Sequence, residues 1–358
     1  NAYWKEAYVA AKEAYDFCVQ NGIALTENPA DIWLQEKGPE VIFPVIYSNP
    51  NRVATWEYGT RPASVSRDKP YHNPTWEFVK DFPMLDGKRY DDPTGKYYVG
   101  DEQALLKAFW KNRDPRFNRA CLYNGREWPV AGRPADNRMY NALGVSNADD
   151  QYGVNPNAGV NAANNDIFSG MYNYKVSDLS LTQDKVMTFD IDYILMRFAE
   201  VMFIYAEAAN ENGHSDVAID LLKQIRKRAG INETSSNPEM KGKVYGLNPN
   251  MNQTEMREAV REERFIELLF EQKRLWDMRR WMIYDKLMNG QGKRHALVMN
   301  KQADNTCTTY LFDRDNTPMI TNQNIYFLPM KRSEMSNNPN LEQTKGWENG
   351  TFDPQAGL

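Results

Sequence analysis

The sequence predicts a mainly α-helical protein made of tetratricopeptide-like helix hairpins, an α-α superhelix, with a loop-rich, irregular second lobe. Three observations lead there. Two long helical blocks, the first of almost unbroken apolar sequence, flank a loop between residues 190 and 281. The first block is followed, after Gly213, by a second helical pattern so soon that the two must form an antiparallel hairpin. Thirteen of the nineteen prolines fall between Pro29 and Pro156, and proline there removes backbone donors and fixes φ, so long regular elements are excluded. With 358 residues the chain can bury a substantial core, as one domain with a large excursion or as two packed lobes. It divides into 1–22, the end of a helical region; 23–189, the excursion; and 190–358, a helical region with a closing tail.

In chain order, Trp4, Ala7, Tyr8, Ala11, Ala14, Tyr15 and Cys18 form a helical stripe ending near Asn21 and Gly22. A stripe of this kind calls for a partner helix, which sequence upstream of Asn1 is expected to supply; without it Tyr8, Ala11 and Tyr15 would face water. The excursion should hold only short helices and edge strands. One helix is legible: Asp101 caps it, Leu105, Leu106, Phe109 and Trp110 form its stripe, and Asp114, Pro115 and Arg116 stop it. Residues 137–166, rich in Asn, Asp, Ala and Gly, read as a long exposed loop.

Residues 193–212 read as one buried helix with Arg197, Glu200, Glu207 and Glu211 on its single polar side. Beyond Gly213, Val217, Ala218, Leu221, Leu222, Ile225 and Ala229 recur at helical spacing up to Gly230, and Arg226, Lys227 and Arg228 suit the helix C-terminus. Ala206 and Ala218 let the two helices approach closely. Asn252 and Glu255 form a capping box for the next block, which is expected to run unbroken to Trp281. Residues 289–324 form a second polar excursion; its Asp313, Asp315 and Asn316 lack the glycine and distal glutamate of a calcium loop and read as a surface turn.

Composition excludes several functions. The 48 acidic and 43 basic residues give a net charge of −5 with no basic run, which argues against a nucleic-acid partner. The longest apolar stretch, 193–209, contains Arg197, Glu200 and Glu207, so it is a buried helix and not a membrane span. Cys18, Cys121 and Cys307 are far apart and expected in the core, and His72, His214 and His295 are equally scattered. No metal site, cofactor or catalytic triad can be assembled from them.

Residues Arg261, Glu263, Arg264, Glu267, Leu268, Glu271, Arg274, Asp277, Met278, Arg280 and Trp281 form a pattern that resembles the C-terminal half of the SusD/RagB family. Arg197, Ala199, Glu200, Tyr205, Ala206, Glu207 and Ala208 agree with it, as do Ile225, Arg226, Arg228, Ala229 and Gly230. The tail is similar to the family's closing motif at Tyr326, Leu328, Pro329, Met330 and Glu334, then Asn338, Pro339, Leu341, Gln343, Gly346 and Trp347. The resemblance implies that this is the C-terminal two-thirds of a glycan-binding lipoprotein on the outer face of a Gram-negative outer membrane. It further implies a SusC-like TonB-dependent transporter as partner, a lipid anchor on the segment upstream, and a first helix that belongs to an earlier tetratricopeptide-like pair. A peptide-binding member of the family, or a tetratricopeptide adaptor between proteins, is the alternative.

Glu263, Glu267 and Glu271, four apart on one expected helix face, are the most tempting carboxylates. Arg264 and Arg274 beside them favour the ionised form, which suits a structural ion network rather than a general acid, so no catalytic residue is assigned. A sugar ring is matched instead by an aromatic face flanked by polar groups. Trp128 with Tyr123 and Arg126 is the first candidate, held by Gly125 and Pro129; Trp76 with Tyr71 and His72 is the second. Trp276, Trp281 and Trp4 are expected in the core.

Overall fold

The computed structural model describes residues 2–57, 59–61, 73–123, 126, 169–231, 244–301, 307–313, 315 and 317–356. They are helix-dominated, with small two-stranded sheets, and form two compact units, 1–270 with 295–314 and 271–294 with 315–358. The first unit draws on all three sequence segments.

Its centre is the expected hairpin. Helix α1 (Ala2–Gln20) and helices α5 (Phe198–Glu211), α6 (Ser215–Ala229) and α7 (Gln253–Glu267) share one apolar core in which Ala206 and Ala218 have no exposed surface. Gly230 ends α6 at φ +86°, a left-handed conformation that favours glycine. The capping box of Asn252 and Glu255 starts α7 as predicted. Asn210 and Gln253 then tie α5 to α7 through reciprocal side-chain bonds to backbone carbonyls of 2.9 and 2.8 Å.

Helix α1 departs from expectation. Its stripe already has a partner inside the chain: Tyr8 stacks on His214 at 4.7 Å, Tyr15 stacks on Phe198 at 5.5 Å, and Ala11 and Cys18 are buried against α5. The residues that α1 turns outward are Tyr3, Val9, Phe17 and Val19.

The helical reading of 193–212 also needs correction. Tyr193–Arg197 is a strand, β4, paired antiparallel with β1 (Val41–Val45). The side chains of Asp190 and Asp192 accept bonds from the backbone of Asn49 (3.0 Å) and Tyr47 (2.9 Å), and this holds the approach to β4 extended. Tyr193 and Ile194 suit the strand, and with only two strands Pro44 sits harmlessly at an edge. The second block breaks as well: α7 stops at Glu267, Phe270 and Gln272 both take φ of +61°, and a separate helix α8 (Arg274–Arg280) follows. Glu271 is therefore not on the helix face of Glu263 and Glu267.

The excursion contains short elements, as its prolines require: α2 (Trp76–Val79), α3 (Glu102–Ala108), α4 (Pro115–Ala120), β2 (Cys121–Tyr123) and β3 (Met171–Asn173). Asp101 caps α3 by accepting from the Ala104 amide at 2.8 Å. Helix α3 ends at Ala108, before the stop expected at Asp114 and Pro115; those two residues instead begin the next helix, for Asp114 caps α4 and Pro115 occupies its first turn. The polar excursion at 289–324 holds an unpredicted antiparallel hairpin of β5 (His295–Lys301) and β6 (Cys307–Asp313).

In the second unit α8 is followed by α9 (Tyr284–Gln291) and, near the tail, α10 (Arg332–Asn337). Trp347 donates to the Phe327 carbonyl at 2.8 Å, and Gln343 bonds both the amide and the carbonyl of Met330. Trp281 is buried, but Trp276, expected in the core, is 62% exposed, with the Arg279 guanidinium 5.6 Å from its ring centre. Asp315 is bonded to Arg294 at 2.7 Å, and among the described residues no cluster of metal ligands occurs. No described helix is long and apolar enough to cross a membrane.

Candidate functional site

Two polar arrays lie side by side in the first unit, one buried and one lining an opening. The buried array begins with Glu263 and Glu267, one turn apart on α7 and both almost fully buried. Arg116 of α4 reaches Glu263 at 2.6 Å, Glu267 at 3.1 Å and its own neighbour Asp114 at 2.7 Å. Arg226 meets Glu263 at 2.5 Å, and Arg228 bonds both Glu267 and Glu40. Arg197, placed by the end of β4, reaches Glu40 at 2.5 Å and Glu267 at 3.0 Å.

Four guanidinium groups thus face four carboxylates. Burial alone would raise the carboxyl pKa values, but it is outweighed. Arg228, Arg197, Arg116 and Lys175 hold Glu267 well below the usual carboxylate range, and Arg116 and Arg226 lower Glu263. Carboxylates in this state have no proton to give near neutral pH, so the ladder is structural. The network anticipated from sequence is present with different partners: Arg264 pairs instead with Glu200, at 3.2 Å.

Beside this array is a cleft of about 350 Å³, adjoined by a cavity of only about 30 Å³; Ala30, Arg119 and Lys175 line both. Asn118 and Arg119 come from α4, whose position the Asp114–Arg116 pair fixes. Tyr174 and Lys175 follow β3, with the Tyr174 amide bonded to the Ala120 carbonyl at 2.8 Å and the Lys175 ammonium to the Glu267 carbonyl at 2.7 Å. Ser177, Asp178, Leu179 and Ser180 form another wall, held by Glu57 and Arg61. Glu57 accepts from Ser177 Oγ at 2.9 Å, and Arg61 donates to the Leu181 carbonyl at 2.9 Å while pairing with Glu57. Arg126 completes the cleft, its guanidinium 4.4 Å from the Tyr174 ring centre and bonded to the Cys121 carbonyl at 2.6 Å. Burial lowers the pKa of Arg126, although Tyr174 partly opposes it.

A half-buried aromatic ring, aliphatic carbons from Leu34 and Leu179, and a fringe of amide, hydroxyl and cationic groups make an amphipathic surface. It can receive a ligand with apolar faces and polar edges. Of the site residues read from sequence, Arg126 is in this cleft, whereas Trp128, Tyr71 and His72 lie outside the described residues. Tyr123 is close to Arg126 but belongs to the core, stacked on Phe117 at 5.5 Å and Trp110 at 5.8 Å. Trp76 has no exposed surface at all: it packs on Phe109, and its indole N–H donates to Glu102. A ring so enclosed cannot stack on a ligand, so Trp76 is a core residue and not a platform.

The sequence reading missed Tyr174, Lys175, Asn118 and Arg119. A signal was available in the run Tyr172, Asn173, Tyr174 and Lys175, which combines aromatic and polar groups as the tryptophan clusters do.

The description of the SusD family matches residues 39–347. A SusD-like protein P2 from Formosa agariphila is 30% identical over 149 residues, covering 41% of this chain and 26% of that protein. Among solved structures, a SusD-like protein from Bacteroides fragilis superposes with a TM-score of 0.67 at 20% identity, over 96% of this chain and 63% of that one. A SusD-like carbohydrate binding protein from the same species gives 0.61 at 20% identity, over 95% and 61%. The chain therefore spans less than two thirds of these relatives, and at such identities the structural likeness bears on the fold.

Proposed function

The chain belongs to the SusD family, and from that premise we propose that it is a cell-surface glycan-binding protein that captures an oligosaccharide or polysaccharide without cleaving it. One observation carries the reading: the Tyr174–Arg126 cleft presents aromatic, aliphatic and polar groups together, while the carboxylates of the array beside it are committed to arginines. The resemblance to a protein named as carbohydrate binding supports the same ligand class. In this reading the protein stands at the outer face of an outer membrane on a lipid anchor. There it delivers its ligand to a SusC-like TonB-dependent transporter.

Affinity electrophoresis through gels containing plant and algal polysaccharides tests the binding step. At least one polysaccharide should retard the native protein, Tyr174→Ala should migrate freely in it, and prolonged incubation should release no new reducing ends. Retardation of both proteins alike, or release of reducing ends, would overturn the reading. Co-purification of a β-barrel transporter with the tagged full-length protein from its own membranes tests the partnership.

A further inference from the structure

We infer that the stretch 177–181 is an acceptor wall, which makes the cleft select sugars by their unsubstituted hydroxyl groups. The inference rests on the glycan-binding reading and deepens it by naming what the ligand must offer there. It follows from where the hydroxyl protons go. Ser177 Oγ donates to Glu57 Oε1 at 2.9 Å, and that oxygen carries no proton of its own, because it also accepts from Arg61 Nε at 2.5 Å and from the Asp178 amide at 3.2 Å. Asp178 Oδ1 accepts from the Ser180 amide at 2.9 Å and from the Ser180 hydroxyl at 2.7 Å. Each serine has thereby committed its one side-chain proton, so toward the cleft its oxygen can only accept. Asp178 is half-buried and lines the same wall, and among the described residues its Oδ2 takes no bond. A carboxylate adds two more acceptors and no donor.

The wall is set from behind by Glu57 and Arg61, whose side chains have no exposed surface and so cannot touch a ligand. Arg61 donates to the carbonyls of Leu181, at 2.9 Å, and Asp178, while Glu57 takes the Asp178 amide. The Leu181 amide closes the turn on the Asp178 carbonyl at 3.1 Å. One buried pair therefore holds both ends of the stretch, and Glu57 and Arg61 are positioning residues. The guanidinium is essential to this, because its fork spans acceptors that a single ammonium cannot reach together. A sugar hydroxyl can donate and accept, but against such a wall only its proton is useful. A hydroxyl capped by a methyl group has no proton to give, sets oxygen against oxygen, and leaves the wall's acceptors unmet in the complex.

The test is affinity electrophoresis in gels containing xylan, laminarin or amylopectin, each unmodified and partly O-methylated, with mobility taken relative to a gel without polysaccharide. At least one unmodified polysaccharide should retard the protein, and its methylated form should do so at least about fivefold less. Asp178→Asn is the sharper probe. It keeps the shape and an oxygen for the Ser180 donors but turns the other position from acceptor into donor, so retardation should weaken about tenfold or more with the melting transition unchanged. If that variant loses its native transition, Ser180→Ala, at an exposed position, is read instead, with an expected loss of about threefold. Arg61→Lys keeps the charge beside Glu57 and tests positioning: hydrogen exchange should quicken at the amides of 177–181 and not in α5, α6 or α7, and retardation should weaken with it. Exchange quickened throughout the chain would mark Arg61 as merely structural and overturn its positioning role. Equal retardation by a polysaccharide and its methylated form, or native retardation of folded Asp178→Asn, would overturn the acceptor wall and leave glycan binding standing. A native protein retarded by none of the polysaccharides would overturn both.

Discussion

The buried array on α7 and the cleft beside it use the same residue types to opposite ends. In the array, Arg116, Arg197, Arg226 and Arg228 each contact a carboxylate, and every member is almost fully buried. In the cleft, Arg119, Arg126 and Lys175 are only half-buried, and among the described residues Asp178 is the carboxylate that shares the lining of the larger opening. The difference teaches how to separate scaffold from site in a charged helical protein. Fully buried, paired charge fixes α4, α6, α7 and β4 in place, whereas half-buried charge at an opening lies where a ligand can reach it.

The sharpest way to break the comparison is to open the array. Glu267→Ala leaves Arg116, Arg197 and Arg228 short of a partner and should cost about 3–5 kcal/mol in denaturant unfolding, the range for one half of a buried ion pair. A loss under 1 kcal/mol would mean that the array is not structural. Trp76→Ala should cost a similar amount, about 3–5 kcal/mol, because the ring is fully enclosed. If it instead left stability intact and abolished ligand binding, core and site would have been exchanged.

Acid should find the array before the cleft. The folded pKa values of Glu263 and Glu267 are lowered, so their contribution is fully present above the unfolded carboxylate value near 4.5 and is lost as pH falls below it. The unfolding midpoint should therefore drop steeply below that pH in the native protein, and less steeply in Glu267→Gln. Smaller again is the effect at the cleft: Tyr174→Ala should weaken glycan binding by about 1–3 kcal/mol, the scale measured for bases stacked on aromatic rings, with little change in unfolding. At the bottom of the scale, Arg332→Ala breaks an exposed pair with Glu348 and should change stability by no more than about 0.5 kcal/mol.

Local signals carried most of the scaffold into view. Helices α6 and α7 announce themselves through periodicity, Gly230 and the Asn252 capping box, all of which are contained within a few residues. Two boundaries were hidden because hydrophobicity does not mark them. The apolar run through 193–212 conceals a strand held extended by Asp190 and Asp192, and the apolar Leu268–Leu269–Phe270 run conceals a turn of positive φ. β5 and β6 were overlooked, although Thr308, Thr309, Tyr310 and Phe312 give a strand-forming composition.

The site was less legible because it is assembled from distant parts. Arg116 and Glu263 are separated by 147 residues, and only the fold shows that Arg116 is buried among carboxylates while its near neighbour Arg119 lines an opening. Attention to tryptophan also misled the reading, since Trp76 and Tyr123 support the core and the smaller Tyr174 lines the opening. Of the site residues read from sequence, Arg126 is the one that lines the cleft among the described residues.

The most direct test of the division between scaffold and site is calorimetric titration of Tyr174→Ala with a polysaccharide that the native protein binds, accompanied by thermal unfolding of both proteins. The account predicts coincident unfolding curves and binding that is weakened at least several-fold or lost. Native affinity in a folded Tyr174→Ala protein would contradict it, because the one aromatic face assigned to the cleft would then play no part.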